Sequence, residues 1–341
     1  MAATMKAWQY TDTTGGLEKN LELTEVARPA EPVGEFEILV EVISASINPA
    51  DHKVPELGLI SRSVIRRPAT PGMDFSGRVV SLGAKIDSFS IGETVFGRLA
   101  PKQHGSLGQL IVVDTKNEAC VALPAGVDVD HAATVGTAGI TAYEAIAPNV
   151  KSGDKVFING GSGGTGTFGI QIAKALGCYV TVTCSSGKAQ LCKTLGADEI
   201  IDYTTTNVAQ KLKEAGQVYS LAVDNVGSPP ELYKAADDFL LPSGQFVQIG
   251  SSVSVESAKS VASRLLLPSF LGGGKRKFSL HVIKPKQDEL RQLGRLVVEG
   301  KVKPAIDEVF EFEDAPRAFE KLKQGKVAGK IVIHVTNKET S

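Results

Sequence analysis

The residues with the clearest chemical signature form one glycine-rich run, Gly161-Ser162-Gly163-Gly164-Thr165-Gly166. The run matches the pattern G-x-G-x-x-G, between a strand predicted over Val156–Ile158 and a helix predicted over Phe168–Leu176. In that setting the first glycine permits a tight turn, the second lets the backbone approach a pyrophosphate, and the third lets helix pack on strand. The helix N-terminus adds unpaired N–H groups for the anion. The alternative is a flexible turn, but strand, loop and helix in this order predict a dinucleotide site.

The residues at the end of the next predicted strand indicate which dinucleotide the protein binds. An NAD site expects an acidic residue about 20 positions past the loop, bonding the ribose 2′-hydroxyl. Counting from Gly166, 185 − 166 = 19, and the sequence there is Cys184-Ser185-Ser186-Gly187-Lys188, with no Asp or Glu between Cys178 and Ala197. Two hydroxyls and an ammonium suit a 2′-phosphate, although Lys188 could also be a solvated helix lysine. We predict NADPH as the cofactor.

Composition excludes several other classes of protein. The 341 residues hold 37 Lys plus Arg against 38 Asp plus Glu, so no bulk positive charge recruits nucleic acid. No run of 18 apolar residues predicts a membrane span. The first ten residues lack the features of a secretory or transit segment, so we expect a cytoplasmic location. Four cysteines without a C-x2-C spacing predict free thiols rather than a disulfide framework or a structural zinc site.

The predicted strands and helices around the glycine loop form two regions of different type. Residues 5–123 read as short strands separated by Pro and Gly turns, which predicts a β-barrel-like unit. From Asp130, strands alternate with helices of 8–12 residues, which predicts a doubly wound parallel sheet. The tail contains an amphipathic helix over Asp288–Glu299, a connecting segment over Pro304–Phe312 and a last strand over Lys330–Val335. We therefore predict an α/β fold with one domain over 1–124 and 288–341, and a dinucleotide domain over 125–287.

The chain resembles the medium-chain dehydrogenase/reductase superfamily, in its zinc-independent quinone oxidoreductase and enoyl reductase branch. The resemblance implies a GroES-like β-barrel domain plus a Rossmann domain. The motifs that carry it, beside the glycine loop, run through nearly the whole chain: Ile47-Asn48-Pro49-Ala50-Asp51-His52-Lys53, Pro71-Gly72-Met73-Asp74-Phe75-Ser76-Gly77, Phe89–Val95, Gly105–Leu107, Thr137–Ala142, Leu195–Asp198, Ile201–Tyr203, Asp224–Gly227, Gly300–Pro304 and Gly329–Val332.

Two of these motifs differ from the zinc-dependent relatives, which place Cys and His ligands there. This chain has Asn48 and Met73 instead, which are poor zinc ligands, so we expect no metal. In similar enzymes the segment containing Asn48 and Lys53 faces the nicotinamide, and both are predicted to be catalytic. Lys53 is the candidate donor to a forming enolate, or a solvated loop cation. Asp51 either orients Lys53 or only pairs with it.

The resemblance also implies cofactor contacts outside the glycine loop and the Ser185–Lys188 segment. Thr137 and Thr141 are expected beside the nicotinamide ribose, and Tyr203 near the 2′-phosphate. Further predicted contacts are Asn225, Ile249 and Lys330.

A homodimer is expected, formed through the strand Phe278–Ile283 at the sheet edge. Loops over 53–68 and 251–277 are expected to shape the substrate pocket, and the second of them is a candidate lid or interface.

The activity this implies is NADPH-dependent hydride transfer to a quinone or an α,β-unsaturated carbonyl. One alternative is a trans-acting enoyl reductase of a polyketide pathway, whose substrate a carrier protein delivers. Another is a protein that binds NADPH without turnover. Neither the physiological substrate nor the proton donor, Lys53 or a water, follows from the sequence.

Overall fold

A computed structural model describes residues 3–102, 104–227, 230–249, 275–284 and 286–336. The chain divides into two compact units. Unit 1 comprises Met1–Ile140, Lys284–Gly300 and Pro304–Ser341, and unit 2 comprises Thr141–Ile283 and Lys301–Lys303. None of the described helices is long and apolar enough to cross a membrane.

The first dividing point lies after Ile140, later than the predicted end of the barrel domain at residue 124. The segment between contains a short helix that packs on unit 1 strands. Asp128 caps this helix by accepting from the N–H groups of Asp130 and His131, and the Ser44 hydroxyl donates to Asp130 at 2.5 Å. These tertiary contacts hold the helix in unit 1.

Unit 1 is built mostly on antiparallel strands, and its one parallel pair among the described residues is Ile306–Phe310 with Lys330–His334. β1 and β2 form a two-stranded sheet, and a seven-stranded sheet runs β14-β15-β3-β4-β5-β7, with β6 paired to β3. The strands are β1 Thr4–Gln9, β2 Glu22–Ala27, β3 Glu37–Ile47, β4 Asp74–Leu82, β5 Thr94–Arg98, β6 Leu110–Asp114, β7 Ala119–Ala122, β14 Ile306–Phe310 and β15 Lys330–His334. The helices are α1 Pro49–Lys53, α2 Leu59–Val64, α3 Val129–Ala133, α10 Gln287–Val298 and α11 Ala315–Lys323.

Burial explains the long β3, because nearly all of its residues are inside the unit. Its apolar side chains pack with those of β4 and β15 in one core that includes Phe75 and Phe319. Trp8 closes this core from β1, and its indole N–H donates to the Phe312 carbonyl oxygen at 2.7 Å. The tail of the chain is thereby fixed to the first strand.

One tail segment differs from its prediction. Pro304–Phe312 was predicted to be a connection, but Ile306–Phe310 forms β14, parallel to β15. That prediction is wrong because only Phe310 of the strand is fully buried, so the segment shows no alternating apolar pattern. Pairing with β15, and not side-chain burial, makes this segment a strand.

Unit 2 contains the predicted doubly wound sheet. All six strands are parallel, in the order β10-β9-β8-β11-β12-β13. The strands are β8 Lys155–Asn159, β9 Tyr179–Cys184, β10 Glu199–Asp202, β11 Tyr219–Asp224, β12 Leu240–Gln248 and β13 Lys277–Leu280. The helices are α5 Gly164–Ala175, α6 Ala189–Thr194, α7 Val208–Ala215, α8 Pro230–Lys234 and α9 Ala236–Phe239, while α4 Gly136–Ile146 spans the division between the units.

This strand order fixes where a ligand can bind. The chain leaves β10 on one side of the sheet and returns at β11 on the other side of β8, so β8 and β11 mark the switch point. Doubly wound sheets bind ligands outside the carboxyl ends of the strands at that point. The glycine loop follows β8 directly.

Candidate active site and cofactor site

The glycine loop of unit 2 is anchored to the neighbouring strand. The N–H of Gly160 donates to the Thr183 hydroxyl, and the N–H of Gly161 donates to the Thr183 carbonyl oxygen, both at 2.8 Å. The Thr183 hydroxyl in turn donates to Asn159 Oδ1 at 2.6 Å. The start of the loop is therefore held at the carboxyl ends of β8 and β9.

The three glycines of the motif serve different purposes. A Cβ on Gly166 would lie 2.1 Å from the Gly160 carbonyl oxygen, and one on Gly161 would lie 2.7 Å from the Val182 Cβ. Packing within the protein therefore requires both. A Cβ on Gly163 would have the Gly160 oxygen at 3.7 Å as its nearest neighbour, and its φ of −80° suits any residue. The space beside Gly163 is what a pyrophosphate needs in order to approach the backbone.

The rest of the loop leads directly into α5. Ser162 is buried, whereas Gly164 and Thr165 are half-buried in the first turn of the helix. The first N–H groups of this helix have no intrahelical acceptor, so they suit an anion.

A polar group after β11 lies beside this loop. The Asp224 carboxylate accepts from Asn159 Nδ2 at 2.8 Å and from the N–H groups of Val226 and Gly227 at 3.1 and 3.2 Å. The next side chain, Asn225, has its amide oxygen and nitrogen buried without a hydrogen-bond partner. Buried amides are normally satisfied, so this amide keeps hydrogen-bonding capacity that a ligand group could use. Of the other predicted contacts in unit 2, Ile249 is half-buried after β12 and Thr141 is buried in α4.

The predicted 2′-phosphate residues surround the carboxyl ends of β9 and β10. Ser185 and Lys188 are half-buried, and Tyr203 is 58% exposed just past β10. Asp202 ends β10 opposite Cys184 and accepts hydrogen bonds from the Ser186 and Thr204 hydroxyls. These bonds lower the pKa of Asp202. Counting residues along the chain from the glycine loop did not identify this carboxylate, because Asp202 lies on the adjacent strand, β10.

Unit 1 contains a buried polar cluster of four residues, Asn48, Asp51, Asp74 and Lys330, which we call the Asn48 cluster. The Lys330 ammonium donates to Asn48 Oδ1, to the Ile47 carbonyl oxygen at 3.1 Å and to Asp74 Oδ2 at 3.5 Å. Asn48 Nδ2 donates to Asp74 Oδ2 at 2.9 Å, and the Asn48 N–H donates to Asp51 Oδ2 at 2.6 Å. The Asn48 amide is thus engaged inside the protein at both ends.

Burial controls the charges of this cluster. Desolvation lowers the pKa of Lys330, opposed by the carboxylates of Asp74 and Asp51. Desolvation and the neighbouring Asp74 raise the pKa of Asp51 to about 7, although the Asn48 N–H and the Lys330 charge oppose that shift. Asp51 is therefore a carboxyl group that titrates near neutral pH.

Thr137, a predicted cofactor contact, is bonded to the same cluster. Its N–H and hydroxyl both donate to Asp74 Oδ1, at 2.8 and 2.6 Å, and its hydroxyl accepts from Arg98 Nε at 3.1 Å. Arg98 and Asp74 had no assigned role in the sequence analysis. The bonds join residues of different elements, so no local spacing could have revealed them.

Lys53, the predicted donor to an enolate, lies at the end of α1 with its side chain exposed. The prediction that Asp51 orients or pairs with Lys53 is wrong. Asp51 Oδ2 bonds Asn48, and Asp51 Oδ1 has no hydrogen-bond partner. The physical reason is that Asp51 caps the first turn of α1 from inside the protein, whereas Lys53 extends toward solvent.

A small cavity of about 20 Å³ lies beside the Asn48 cluster, within unit 1. Its walls combine polar side chains with apolar ones, which include Ile65, Pro71 and Met73. The titratable side chains that line it are Tyr10, Asp51 and Lys102. A volume of this size holds about one water molecule rather than a substrate.

The comparisons with known proteins agree with this architecture. Residues 34–125 match the alcohol dehydrogenase GroES-like domain family, and residues 195–333 match the zinc-binding dehydrogenase family. The chain is 42% identical to a trans-enoyl reductase of Aspergillus terreus, with 98% of this chain and 97% of that protein covered. It is 31% identical to a mitochondrial NAD(P)H oxidoreductase of Danio rerio, covering 97% and 91%.

A solved structure supports the same family assignment. The quinone oxidoreductase from Coxiella burnetii superposes with a TM-score of 0.84 at 27% identity, covering 98% of this chain and 100% of that one. The chain therefore belongs to the medium-chain dehydrogenase/reductase superfamily, in the branch of the quinone oxidoreductases and enoyl reductases. It is an NAD(P)-dependent oxidoreductase with a GroES-like domain and a Rossmann domain.

The name of one matching family implies zinc, and the residues here do not fit that ion. The positions expected to bind it contribute the Asn48 amide and the Met73 thioether, and Lys330 places a buried ammonium against Asn48. Zinc prefers thiolate and imidazole ligands, and a neighbouring ammonium repels a cation. Among the described residues, no group of three or more His, Cys, Asp or Glu side chains could hold a metal ion.

Proposed function

We propose that this protein is a zinc-independent, NADPH-dependent reductase of double bonds conjugated to a carbonyl, including quinones. The observation that carries the proposal is the donor set of the Asn48 cluster, which has an ammonium, an amide and carboxyls in place of zinc ligands. Alcohol oxidation relies on a Lewis acid to stabilise alkoxide, whereas addition of hydride to an activated double bond needs only hydrogen-bond donors and a proton.

The chain's own residues would divide this work between the units. The reduced nicotinamide would supply hydride to the β-carbon of the substrate. In unit 2, Gly163, Asn225 and the first turn of α5 suit the pyrophosphate and an amide-bearing group. In unit 1, hydrogen bonds within the Asn48 cluster fix the start of α1. Asn48 and Lys53 remain the predicted catalytic residues.

The proposed choice of NADPH over NADH rests on two opposite charges near Cys184, those of Lys188 and Asp202. Lys188 and the hydroxyls of Ser185 and Ser186 favour a 2′-phosphate through charge-assisted hydrogen bonds. The ionised Asp202 opposes that phosphate, but both of its oxygens already accept hydrogen bonds within the turn. We propose that Lys188 prevails and that NADPH is the cofactor.

Steady-state turnover of the purified chain tests this function. We expect NADPH oxidation with 1,2-naphthoquinone and with 2-hexenal, no oxidation of simple alcohols, and activity that survives chelator treatment. Metal analysis should find well below one zinc per chain. Turnover of alcohols that is lost together with stoichiometric zinc would overturn the proposal. Tight NADPH binding without any turnover would favour a non-catalytic binding protein.

A second candidate is a trans-acting enoyl reductase that receives its substrate from a carrier protein. The observation that favours it is the 42% identity to a trans-enoyl reductase along almost the full chain. The test compares kcat/KM for an enoyl group on an acyl-carrier protein with that for the same group on N-acetylcysteamine. A carrier preference of tenfold or more supports this candidate, and equal values favour a free small molecule.

We also propose a homodimer and a cytoplasmic location. The dimer proposal rests on β13, which is the last strand of the sheet among the described residues. It spans Lys277–Leu280, so it ends three residues before the predicted Ile283. Leu280 in the strand and Val282 after it are both exposed. An open strand edge is a template for pairing with a second chain. Light scattering decides between dimer and monomer.

Four free cysteines suit a reducing compartment, and imaging of a tagged chain distinguishes cytoplasm from mitochondria.

A further inference from the structure

A short helix of unit 1, α2 over Leu59–Val64, carries three large apolar side chains on its outer surface. Leu59, Ile60 and Val64, which we call the α2 face, are 85%, 68% and 63% exposed. Ile60 and Val64 stand four residues apart, on one side of the helix, and Leu59 adjoins Ile60. The helix buries the smaller, polar Ser61 instead. Neighbouring apolar side chains that a fold leaves exposed indicate an interaction surface.

The α2 face is presented on a fixed support within unit 1. The Ser61 hydroxyl shares its hydrogen between the carbonyl oxygens of Pro55 and Gly58, each at 2.8 Å. Arg67, just after the helix, donates to the Pro55 oxygen at 2.9 Å and to the Ser61 hydroxyl at 3.0 Å. The Arg67 guanidinium also lies 5.2 Å from the centroid of the Tyr10 ring. These contacts determine which side of α2 is turned inward, so the fold itself keeps the α2 face outside.

Positive charge accompanies the α2 face. From residue 57 to residue 68 the sequence has three arginines and no acidic residue. Two of them, Arg62 within the helix and Arg66 after it, are exposed. Asp12 Oδ1 lies 3.7 Å from Arg62 and offsets part of this charge, but a pair that is exposed on both sides is weak. A molecule that fits this surface therefore combines apolar groups with negative charge.

We propose that the α2 face, together with Arg62 and Arg66, is the docking surface for an acidic acyl-carrier protein. The proposal deepens the second candidate function and rests on it, because a carrier protein must be held through its own surface. Carboxylates of an acidic carrier complement the two arginines and steer its approach. The three aliphatic side chains supply the apolar centre that a protein interface requires.

Two other occupants fit the same surface less well. A helix of six residues offers little apolar area for binding to a bilayer, where affinity grows with the apolar area that is buried. A second copy of the chain in a two-fold dimer would place the same patch against itself, so Arg62 and Arg66 would meet the same arginines of the other copy. Like charges across an interface oppose association. An acidic protein partner avoids both difficulties.

The experiment compares a crotonyl group loaded on an acyl-carrier protein with the same group on N-acetylcysteamine. We expect Ile60→Ser and Arg66→Glu each to lower kcat/KM for the carrier-bound group by about tenfold, since each removes part of the docking contact. Both side chains are exposed, and kcat/KM for the N-acetylcysteamine substrate should stay within about twofold of wild type, because that substrate has no protein surface to dock.

Two substitutions elsewhere in unit 1 are matched controls. Ile91→Ser removes an aliphatic side chain that is also 68% exposed, and Arg28→Glu reverses the charge of another exposed arginine. Both should leave both rates unchanged. Losses of equal size on the two substrates would make the α2 face part of the substrate site, and carrier rates that stay unchanged in Ile60→Ser and Arg66→Glu would leave the face without a role. Either result overturns the proposal.

Anisotropy of a labelled carrier protein measures docking without turnover. The Kd of wild type should rise with salt, and Ile60→Ser should raise it by about tenfold. Binding of wild type to anionic lipid vesicles but not to the carrier, or a lower mass of Ile60→Ser in light scattering, would assign the face to a membrane or a second copy and overturn the proposal. If wild type shows no carrier preference, the second candidate function fails and this proposal with it. A carrier preference that Ile60→Ser and Arg66→Glu both retain makes this proposal alone fail.

Discussion

The polar groups of the two units differ in how completely they are satisfied. In unit 1, Lys330, Asn48 and Asp74 bond one another, so the cluster is largely complete within the protein. In unit 2, Gly163 leaves open space and the Asn225 amide has no partner. Unit 2 therefore has unused polar groups and open space that a ligand could occupy, whereas within the Asn48 cluster of unit 1 only Asp51 Oδ1 lacks a hydrogen-bond partner.

The largest expected effect comes from breaking the cluster in unit 1. Lys330→Met removes the cation beside fully buried Asp74, and loss of one member of a buried pair costs roughly 3–5 kcal/mol in the free energy of unfolding. Trp8 is the only tryptophan and lies in unit 1, so its fluorescence follows that unit during denaturation.

Lys321→Met is the matched control for this variant. Lys321 also contacts two carboxylates, Asp307 and Glu308, but near the surface, where such pairs contribute about 0–1 kcal/mol. Equal destabilisation by the two substitutions would show that the Asn48 cluster is not a stabilising centre.

A somewhat smaller effect is expected in the pH dependence of unit 1 stability. Native Asp51 keeps its proton to about pH 7, whereas the unfolded chain releases it near 3.8. The native state therefore binds more protons across that window, and this group lowers the free energy of unfolding as pH rises from about 4 to 7, by on the order of 3 kcal/mol. Asp51→Asn should remove this slope in the Trp8 fluorescence assay. An identical slope in the variant would contradict a raised Asp51 pKa.

Two glycines of the loop in unit 2 allow packing and ligand binding to be tested separately. Gly166→Ala forces a methyl group against the Gly160 oxygen, and we expect about 1–3 kcal/mol of destabilisation. Gly163→Ala meets no close contact, so stability should change by less than about 0.5 kcal/mol while cofactor affinity falls about tenfold or more. Labelling of the buried thiols of Cys178, Cys184 and Cys192 follows unit 2 unfolding. Equal cofactor affinity in wild type and Gly163→Ala would argue against a pyrophosphate at this loop.

The sequence predicted the glycine loop of unit 2 more completely than the Asn48 cluster of unit 1, and the reason is physical. G-x-G-x-x-G encodes backbone geometry within a few residues, and the structure shows the expected strand, turn and helix around Gly161 and Gly166. The Asn48 cluster depends on Lys330, 282 residues away in sequence, so no local pattern contains it. Asp202 was missed for the same reason, because sheet pairing brings it opposite Cys184. The predicted pocket segment at 251–277 lies almost entirely outside the described residues.

The smallest changes concern cofactor choice. Lys188→Ala should weaken NADPH binding by roughly 1–3 kcal/mol, the range for hydrogen bonds to charged groups, and leave NADH binding nearly unchanged. Asp202→Asn, which removes the opposing charge, should strengthen NADPH binding. Calorimetric titration of both cofactors measures the two effects. Equal affinity of the wild-type chain for NADPH and NADH would refute the role of Lys188.

The dimer prediction can be tested at the edge strand itself. The His281 N–H donates to the Gln248 oxygen of β12 at 2.8 Å, so by strand alternation the Leu280 N–H faces the open edge. Leu280→Pro should therefore weaken a dimer by removing an outward donor, while Ser279→Pro should instead damage the β12 pairing. A dimer that is unaffected by Leu280→Pro would place the interface elsewhere.

Isotope transfer tests the central claim, zinc-independent reduction of a conjugated double bond, most directly. The chelator-treated wild-type chain would be mixed with NADPH carrying deuterium at the transferable position, together with 2-hexenal in ordinary water. The account predicts saturated hexanal with one deuterium at the β-carbon and a solvent-derived hydrogen at the α-carbon. Unchanged hexenal, or deuterium at the carbonyl carbon of an alcohol product, would contradict it.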